Sequence, residues 1–354
     1  MADLRMLYER QVDGPLVKGD HVGGAPVAGF ATTTGPVPDD RLLLAGDEVS
    51  PQIPTRPIPA REHPGIRRCG PQVAHRLAAR DVTDADDITP GLRAAVSRAI
   101  GLRPGPGRFV GSLVEEFTRR DCAIWLIGGA VRDLVADPAA PVNDLDFAGT
   151  MLPGELHSLA PDMLAINGLG DHRPHLSPGR VLSVMGGMPD TERIIEYKAL
   201  SQHGFHFPAS GGDLLDDVGT RDLTINGLYY DLRRHVLIDP SGRGVRHLRA
   251  KPRTLAPVYT GGDPLECAKV VIRTVKFAVR SPDADMSEAA AWVDRHLVDL
   301  ACDLPADMRR SLLGFWGKCI PEEQAPAAMR AVQRLGTVAG TLIHAVRWGG
   351  RHAG

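Results

Sequence analysis

The stretch IWLIGGAVRDLVADPAAPVNDLDFAGT, residues 124–150, decides how this chain is read. An apolar run from Ile124 to Ile127 ends in Gly128 and Gly129, and Ala-Val-Arg-Asp-Leu then restarts at helical spacing. A short apolar run closed by glycines reads as a buried strand. A helix that begins at such a turn presents unpaired backbone N–H groups, with no side chains in the way of a phosphate. Arg132, on the first turn, can add a charge-assisted contact to the same phosphate. The alternative is a plain tight turn with Arg132 paired to a surface acid. Asp144 and Asp146 follow in "NDLDFAG", which begins a second predicted strand. Positions i and i+2 of a strand face the same side. Two carboxylates held that close repel unless a cation sits between them, and a hard ion such as Mg²⁺ suits all-oxygen ligation. The alternative here is a turn or a helix cap, where aspartate is common. A phosphate turn and a metal-binding pair together would hold a nucleoside triphosphate.

Working outward, "RFVGSLVEEFTRR" sets Phe109, Val110, Leu113, Val114 and Phe117 on one helical face. Further strands are predicted at 181–185, 192–198 and 234–238, so strands and helices mix within one sheet-containing domain. Beyond about residue 258, "LECAKVVIRTVKFAVR", "AAAWVDRHLVDLA" and "PAAMRAVQRL" carry helical periodicity. Residues 1–104 differ from both parts. "GGAPVAGFATTTGPVPDD" and "SPQIPTRPIPAREHPG" are rich in Pro and Gly, which favours irregular chain, with short helices expected at 72–80 and 90–100. The expected organisation is therefore an extension over 1–104, an α+β domain over 105–258 and a small all-helical domain over 259–354.

The 354 residues are 43% hydrophobic, enough for a real core, and the formal net charge is -2. Such a balance lacks the basic excess typical of polyanion-binding proteins. No apolar run approaches the roughly 20 residues of a membrane span, and the first residues lack the apolar centre of a signal peptide. The five cysteines are scattered without a C-x-x-C pair, as expected of ordinary thiols in a reducing compartment. The cytoplasm is the expected location, with no membrane partner. Oligomeric state is left open.

The sequence "LIGGAVRDL…NDLDFAGT" resembles the head domain of the bacterial poly(A) polymerase and CCA-adding tRNA nucleotidyltransferase family. That family carries an apolar strand, G-G-x-V-R-D and then D-x-D. The segment "DLLDDVGTRDLTINGLYYDLRRHVLIDPSGRGVRHLR", residues 213–249, is similar to the same family's E-D-L-x-R-R-D-[FL]-T-I-N-A segment and its following I-D-P turn. "GGDPLECAK" stands where the family has a D-P-L-R-x-x-R helix. The likeness covers residues 105–280 in the right order. It implies an α+β nucleotidyltransferase head followed by helices, Mg²⁺ as cofactor, a nucleoside triphosphate as substrate and an RNA or tRNA 3′ end as acceptor.

By the same resemblance, Asp144 and Asp146 would ligate the metal and Glu196, in "RIIEYKAL", would be a third acid. Gly128, Gly129 and Arg132 would meet the phosphates. Arg221, Asp222 and Asn226 would hold the nucleotide, with Asp222 and Asn226 near the ribose; Asp263 and Lys269 would extend that site. The residue-level alternative for 221–226 is a helix start capped by Asp222 and Thr224, with Ile225 and Leu228 in the core. For Glu196 the alternative is a solvent-facing strand residue. The departures are Glu266 and Lys269 at two family arginines, Thr220 before the Arg-Asp pair and Asn143 before the D-x-D. Replacing a guanidinium by a carboxylate exchanges donors for acceptors, so the base chosen is open. About 75 residues follow Arg280, fewer than the helical regions that tRNA enzymes of this family carry, and their charges balance. Attachment of a nucleotide to a small molecule or protein, and nucleotide binding without catalysis, therefore stand as alternatives. Two histidine pairs, His172/His175 and His203/His206, have ligand spacing but lie in predicted loops. Trp125 and Phe147 are expected in the core beside the site, base stacking being the alternative.

Overall fold

The computed structural model describes residues 79–101, 104–120, 122–177, 181–186, 192–200 and 214–349. The expected extension lies mostly outside these residues, as do His203 and His206. The described residues form two compact units. The first contains the described residues up to Asp217 and Leu228–Gly242, and the second contains Val218–Gly227 with the described residues from Arg243 onward.

The first unit is built on an eight-stranded mixed sheet. Its strands are β1 (Val82–Asp84), β2 (Ile124–Ile127), β3 (Asp146–Gly149), β4 (Arg173–Leu176), β5 (Leu182–Gly186), β6 (Glu192–Ala199), β7 (Tyr229–Asp231) and β8 (Val236–Ile238). The spatial order is β1-β8-β7-β2-β3-β6-β5-β4, antiparallel throughout except for the parallel β3/β6 pair. A parallel pair needs a long crossover. Here the chain supplies a helix and the β4–β5 hairpin between β3 and β6.

The helices of this unit are α1 (Ala85–Ile88), α2 (Leu92–Gly101), α3 (Pro104–Arg119), α4 (Gly128–Ala136) and α5 (Pro153–Ile166). A further short helix, α6 (Leu214–Val218), ends one residue past the unit boundary at Asp217/Val218. Most of the apolar stripe anticipated on α3 is buried: Phe109, Val110, Leu113 and Phe117 are at most 2% exposed, while Val114 is only half-buried. Helix α4 packs on β2, β3 and β7, and α5 packs on β4, β5 and β6. Trp125, Phe147, Tyr197, Tyr229 and Tyr230 fill the interior, so Trp125 and Phe147 are core residues with no ring face open to a base.

The strands expected from alternation at 181–185, 192–198 and 234–238 are present with small shifts of boundary. Three strands were not anticipated, and each is short: β1, β4 and β7. Three or four residues carry too little alternation to stand out, and these segments become strands only through a partner. β1 pairs with β8, Val82 opposite Ile238, which ties residues 82–84 into the sheet despite their place in the expected extension. Helix α2 begins at Leu92, two residues later than Pro90. Gly91, at φ +82°, makes the turn into it, and the Thr89 hydroxyl bonds Val135 O at 2.9 Å.

The second unit is helical: α7 (Gly244–Arg249), α8 (Pro264–Arg280), α9 (Ser287–His296), α10 (Val298–Cys302), α11 (Ala306–Cys319), α12 (Ala325–Arg334) and α13 (Thr337–Trp348). Helix α8 is its axis, packing on α9, α11 and α12. It runs unbroken through the residues between "DPLECAK" and "VKFAVR". The units do not divide at the expected 258/259 border. The RDLTIN segment makes its backbone bonds inside the helical unit, Thr224 N to Ala256 O and Val258 N to Asp222 O, and is counted with it.

Candidate active site

Gly128 opens helix α4 directly from strand β2. The preceding Ile127 is extended, no side chain caps the helix, and Gly128 has φ +70°. The first N–H groups of this nine-residue helix are therefore not met by a capping side chain, and the positive end of its dipole adds to their pull on an anion. Gly128 is required for a second reason. A Cβ there would stand 3.2 Å from Asp146 Oδ2. The glycine makes room for the carboxylate and supplies the left-handed backbone at once.

Arg132 is buried, 8% exposed, and lies against the turn: its Nη2 is 3.6 Å from where a Gly129 Cβ would be. Its Nε and Nη2 both donate to Asp133 at 2.8 Å. The pairing with a neighbouring acid and the position beside the glycines thus occur together.

Leu145 is buried, and Asp144 and Asp146 on either side of it are not, as strand alternation demands. The register of the parallel pair sets Asp146 opposite Glu196, and Glu196 N donates to Leu145 O at 3.0 Å. Glu196 is therefore a direct cross-strand neighbour of the D-x-D, not a remote strand residue. Like charges opposed across strands destabilise a sheet unless something neutralises them.

In this structure the neutralising group is Arg193. Its Nη2 lies 3.2 Å from Asp144 Oδ2 and its Nη1 2.5 Å from Glu196 Oε2. Burial works against the charged guanidinium, but the carboxylates of Glu196, Asp144 and Asp146 outweigh it and hold its pKa above the usual value. Arg193 was not among the expected site residues. Three positions before Glu196, plain alternation would put it on the opposite face. A β-bulge changes that: Val184 pairs with Ile195 but Met185 with Arg193, leaving Ile194 as an extra residue on β6. Ile194 and Ile195 are consecutively buried, and Arg193 returns to the face of Glu196.

Among the described residues, no three His, Cys, Asp or Glu side chains form a ready metal cage. His172 bonds Asp171, and His175 stands on β4 rather than in a loop. The all-oxygen set around Asp144 and Asp146 nevertheless fits Mg²⁺, which is commonly bound by one or two carboxylates plus substrate phosphates. Gly128, with no side chain, leaves the Asp146 carboxylate its place beside the start of helix α4.

The remaining candidates belong to the helical unit. Asp222 is 7% exposed and fully engaged: its Oδ1 accepts from Leu223 N at 2.7 Å and Asn226 Nδ2 at 2.9 Å, and its Oδ2 meets Arg273 at 3.4 Å. Arg221 lies in the same turn, with its N–H donating to Val218 O. The expected helix start is only a 3-10 turn, Thr224–Asn226, because Gly227 and strand β7 follow at once. Leu223 precedes that turn without a side-chain cap, and Thr224 instead bonds His247 Nδ1 at 2.9 Å. Ile225 and Leu228 are buried as expected. Asp263 caps α8, accepting from Glu266 N at 2.9 Å, and Lys269 pairs with Glu266 at 2.7 Å. Arg273, unremarked in the sequence, joins Asp222 to the Phe315 ring, 5.5 Å from its centroid.

Residues 124–252 match the family model described as the poly A polymerase head domain. The likeness is to a poly A polymerase head domain. Over 121 residues the chain is 27% identical to the CCA-adding enzyme of Bacillus cereus (strain B4264), covering 33% of this chain and 28% of that protein. The CCA-adding enzyme of Bacillus anthracis (strain A0248) matches with the same figures. The matched segment thus spans little more than a quarter of these curated relatives. A CCA-adding enzyme solved in complex with ATP has a TM-score of 0.51 at 15% identity, covering 74% of this chain and 56% of that one. The Thermotoga maritima CCA-adding enzyme complexed with tRNA gives 0.50 at 17% identity, covering 74% and 55%. These likenesses show the fold: a mixed-sheet head with a helical region after it.

Proposed function

We propose that the head domain transfers a nucleotidyl group from a nucleoside triphosphate to an acceptor hydroxyl with release of pyrophosphate. The observation that carries this reading is the carboxylate set: Asp144 and Asp146 alternate about Leu145, and Glu196 is held opposite Asp146 by the β3/β6 register. Gly128 and Gly129 open the helix α4 N-terminus to the phosphates, and Arg132 adds a buried positive charge beside them. A divalent cation such as Mg²⁺, held by Asp144 and Asp146, would supply charge neutralisation at the phosphates and acidify the acceptor hydroxyl. The protein's own part is to orient the triphosphate for in-line attack and to offset the charge that develops. Arg221, Asp222 and Asn226 are proposed to hold the nucleotide, with Asp263 and Lys269 extending that surface. The head-domain match and the CCA-adding relatives support an RNA or tRNA 3′ end as the acceptor.

A smaller acceptor is the second reading. Glu266 and its partner Lys269 stand where the resemblance expects two arginines, and the chain carries no basic excess. The test is pyrophosphate release from each of the four nucleoside triphosphates with Mg²⁺, with and without bulk tRNA, in wild type and Asp144→Ala/Asp146→Ala. Release that needs tRNA and is lost in the double variant is the expected result. Release without tRNA would move the acceptor to a small molecule or protein. Nucleotide binding with no release at all would sink the catalytic reading.

A further inference from the structure

Arg193 takes no part in the chemistry above, yet its guanidinium lies within the carboxylate set that the reaction is proposed to use. It pairs with Asp144 at 3.2 Å through Nη2 and with Glu196 at 2.5 Å through Nη1, the two terminal nitrogens of one guanidinium. That placement costs the sheet a bulge at Ile194, without which Arg193 would alternate away from Glu196. The oxygens it engages, Asp144 Oδ2 and Glu196 Oε2, belong to groups a divalent cation would approach to about 2.0–2.1 Å. A guanidinium at hydrogen-bond distance from those oxygens and a dication bound among them repel strongly, so the two exclude one another. Arg193 is also free to leave. Its side chain is 35% exposed on a long flexible stem, so it can turn outward into water.

We propose that Arg193 is a built-in counter-cation: it occupies the carboxylate set in the metal-free protein and is displaced when a divalent cation binds. It thereby stabilises β3 against β6 without metal and raises the cation concentration at which the site fills. The proposal rests on the reading of Asp144 and Asp146 as metal ligands. Two partly exposed ion pairs must be given up on binding, which predicts a penalty of about tenfold in cation affinity.

The experiment is a titration of the full chain with Mn²⁺ alone, without nucleotide, reading free Mn²⁺ by electron paramagnetic resonance. Arg193→Gln is expected to bind about tenfold more tightly than wild type. Arg173→Gln, which removes an exposed charge from β4, is expected to leave affinity unchanged. Melting supplies a second readout: metal-free Arg193→Gln melts below wild type and gains more from Mn²⁺. If Arg193→Gln does not fold, Arg193→Met, which keeps the apolar stem, is titrated with the same expectations. Equal or weaker binding in the Arg193 variants, with binding lost in Asp144→Asn/Asp146→Asn, overturns the counter-cation and leaves the metal site standing. Equal tightening in Arg173→Gln reduces the effect to net charge and also overturns it. Binding that survives Asp144→Asn/Asp146→Asn, or is absent throughout, overturns the metal-ligand reading and the proposal with it.

Discussion

At the scale of single residues, the site depends on groups whose surroundings leave little freedom. Gly128 combines a left-handed backbone with a carboxylate 3.2 Å from where its Cβ would be. Gly128→Ala should destabilise the fold by about 1–2 kcal/mol and displace Asp146. Urea unfolding and Mn²⁺ affinity measure the two effects separately, and unchanged values in both would show that the turn accepts a side chain. Asp217 is fully buried; it accepts from the Tyr229 hydroxyl and pairs with Lys198 at 3.4 Å. Asp217→Asn keeps the shape but leaves the half-buried Lys198 charge without its partner. A loss of about 3 kcal/mol is expected from removing one member of such a pair, read as a lower urea midpoint at constant slope. A midpoint within error of wild type would mean that Lys198 swings to water at no cost.

At the scale of elements, strand β3 is the point where packing and chemistry meet. One end carries Asp146. At the other end, a Cβ on Gly149 would lie 2.6 Å from Ala123 O and 2.9 Å from both Phe117 Cε1 and the Tyr197 hydroxyl. That hydroxyl is itself fixed, donating to Met151 O at 2.6 Å, and burial drives its pKa well above the normal range. Gly149→Ala is therefore expected to cost about 2–3 kcal/mol by overpacking, and to reduce nucleotidyl transfer by shifting β3 relative to β6. Circular dichroism melts and pyrophosphate release test the two parts. The bulge in β6 acts at the same scale. One extra residue, Ile194, turns a guanidinium toward the carboxylates.

At the scale of the whole molecule, two histidines link stability to pH. Burial lowers the pKa of His157, with His175 adding to the effect, against a hydrogen bond accepted by the Pro174 carbonyl that works the other way. Burial, helped by Arg93, likewise lowers that of His235. Unfolded histidine titrates near 6.5, so below that pH the unfolded chain takes up protons that the native protein refuses. Stability from these groups is intact above pH 6.5 and is lost as pH falls from there toward the lowered native values. Melting temperatures should decline as pH falls below about 6.5, and His157→Gln/His235→Asn should flatten that decline. An equal slope in the double variant would assign the acid sensitivity to other groups.

The sequence by itself determined the likeness to a poly A polymerase head domain. The glycine turn, Arg132, the D-x-D and the RDLTIN segment are local signals, because a glycine turn and a carboxylate pair are built from residues close together in the chain. The apolar stripe of α3 and strands β5 and β6 were legible for the same reason: periodicity over several residues reports which face is buried. Only the tertiary structure decided the rest. β1, β4 and β7 are too short to show alternation and exist through their partners. Glu196 became a neighbour of Asp146 through the β3/β6 register, a relation between segments 50 residues apart. The 3-10 turn at Thr224–Asn226 is cut short by the strand that follows it. Arg193 was invisible because strict alternation places it on the wrong face, and a bulge is set by pairing between strands, not by the residues of one strand alone.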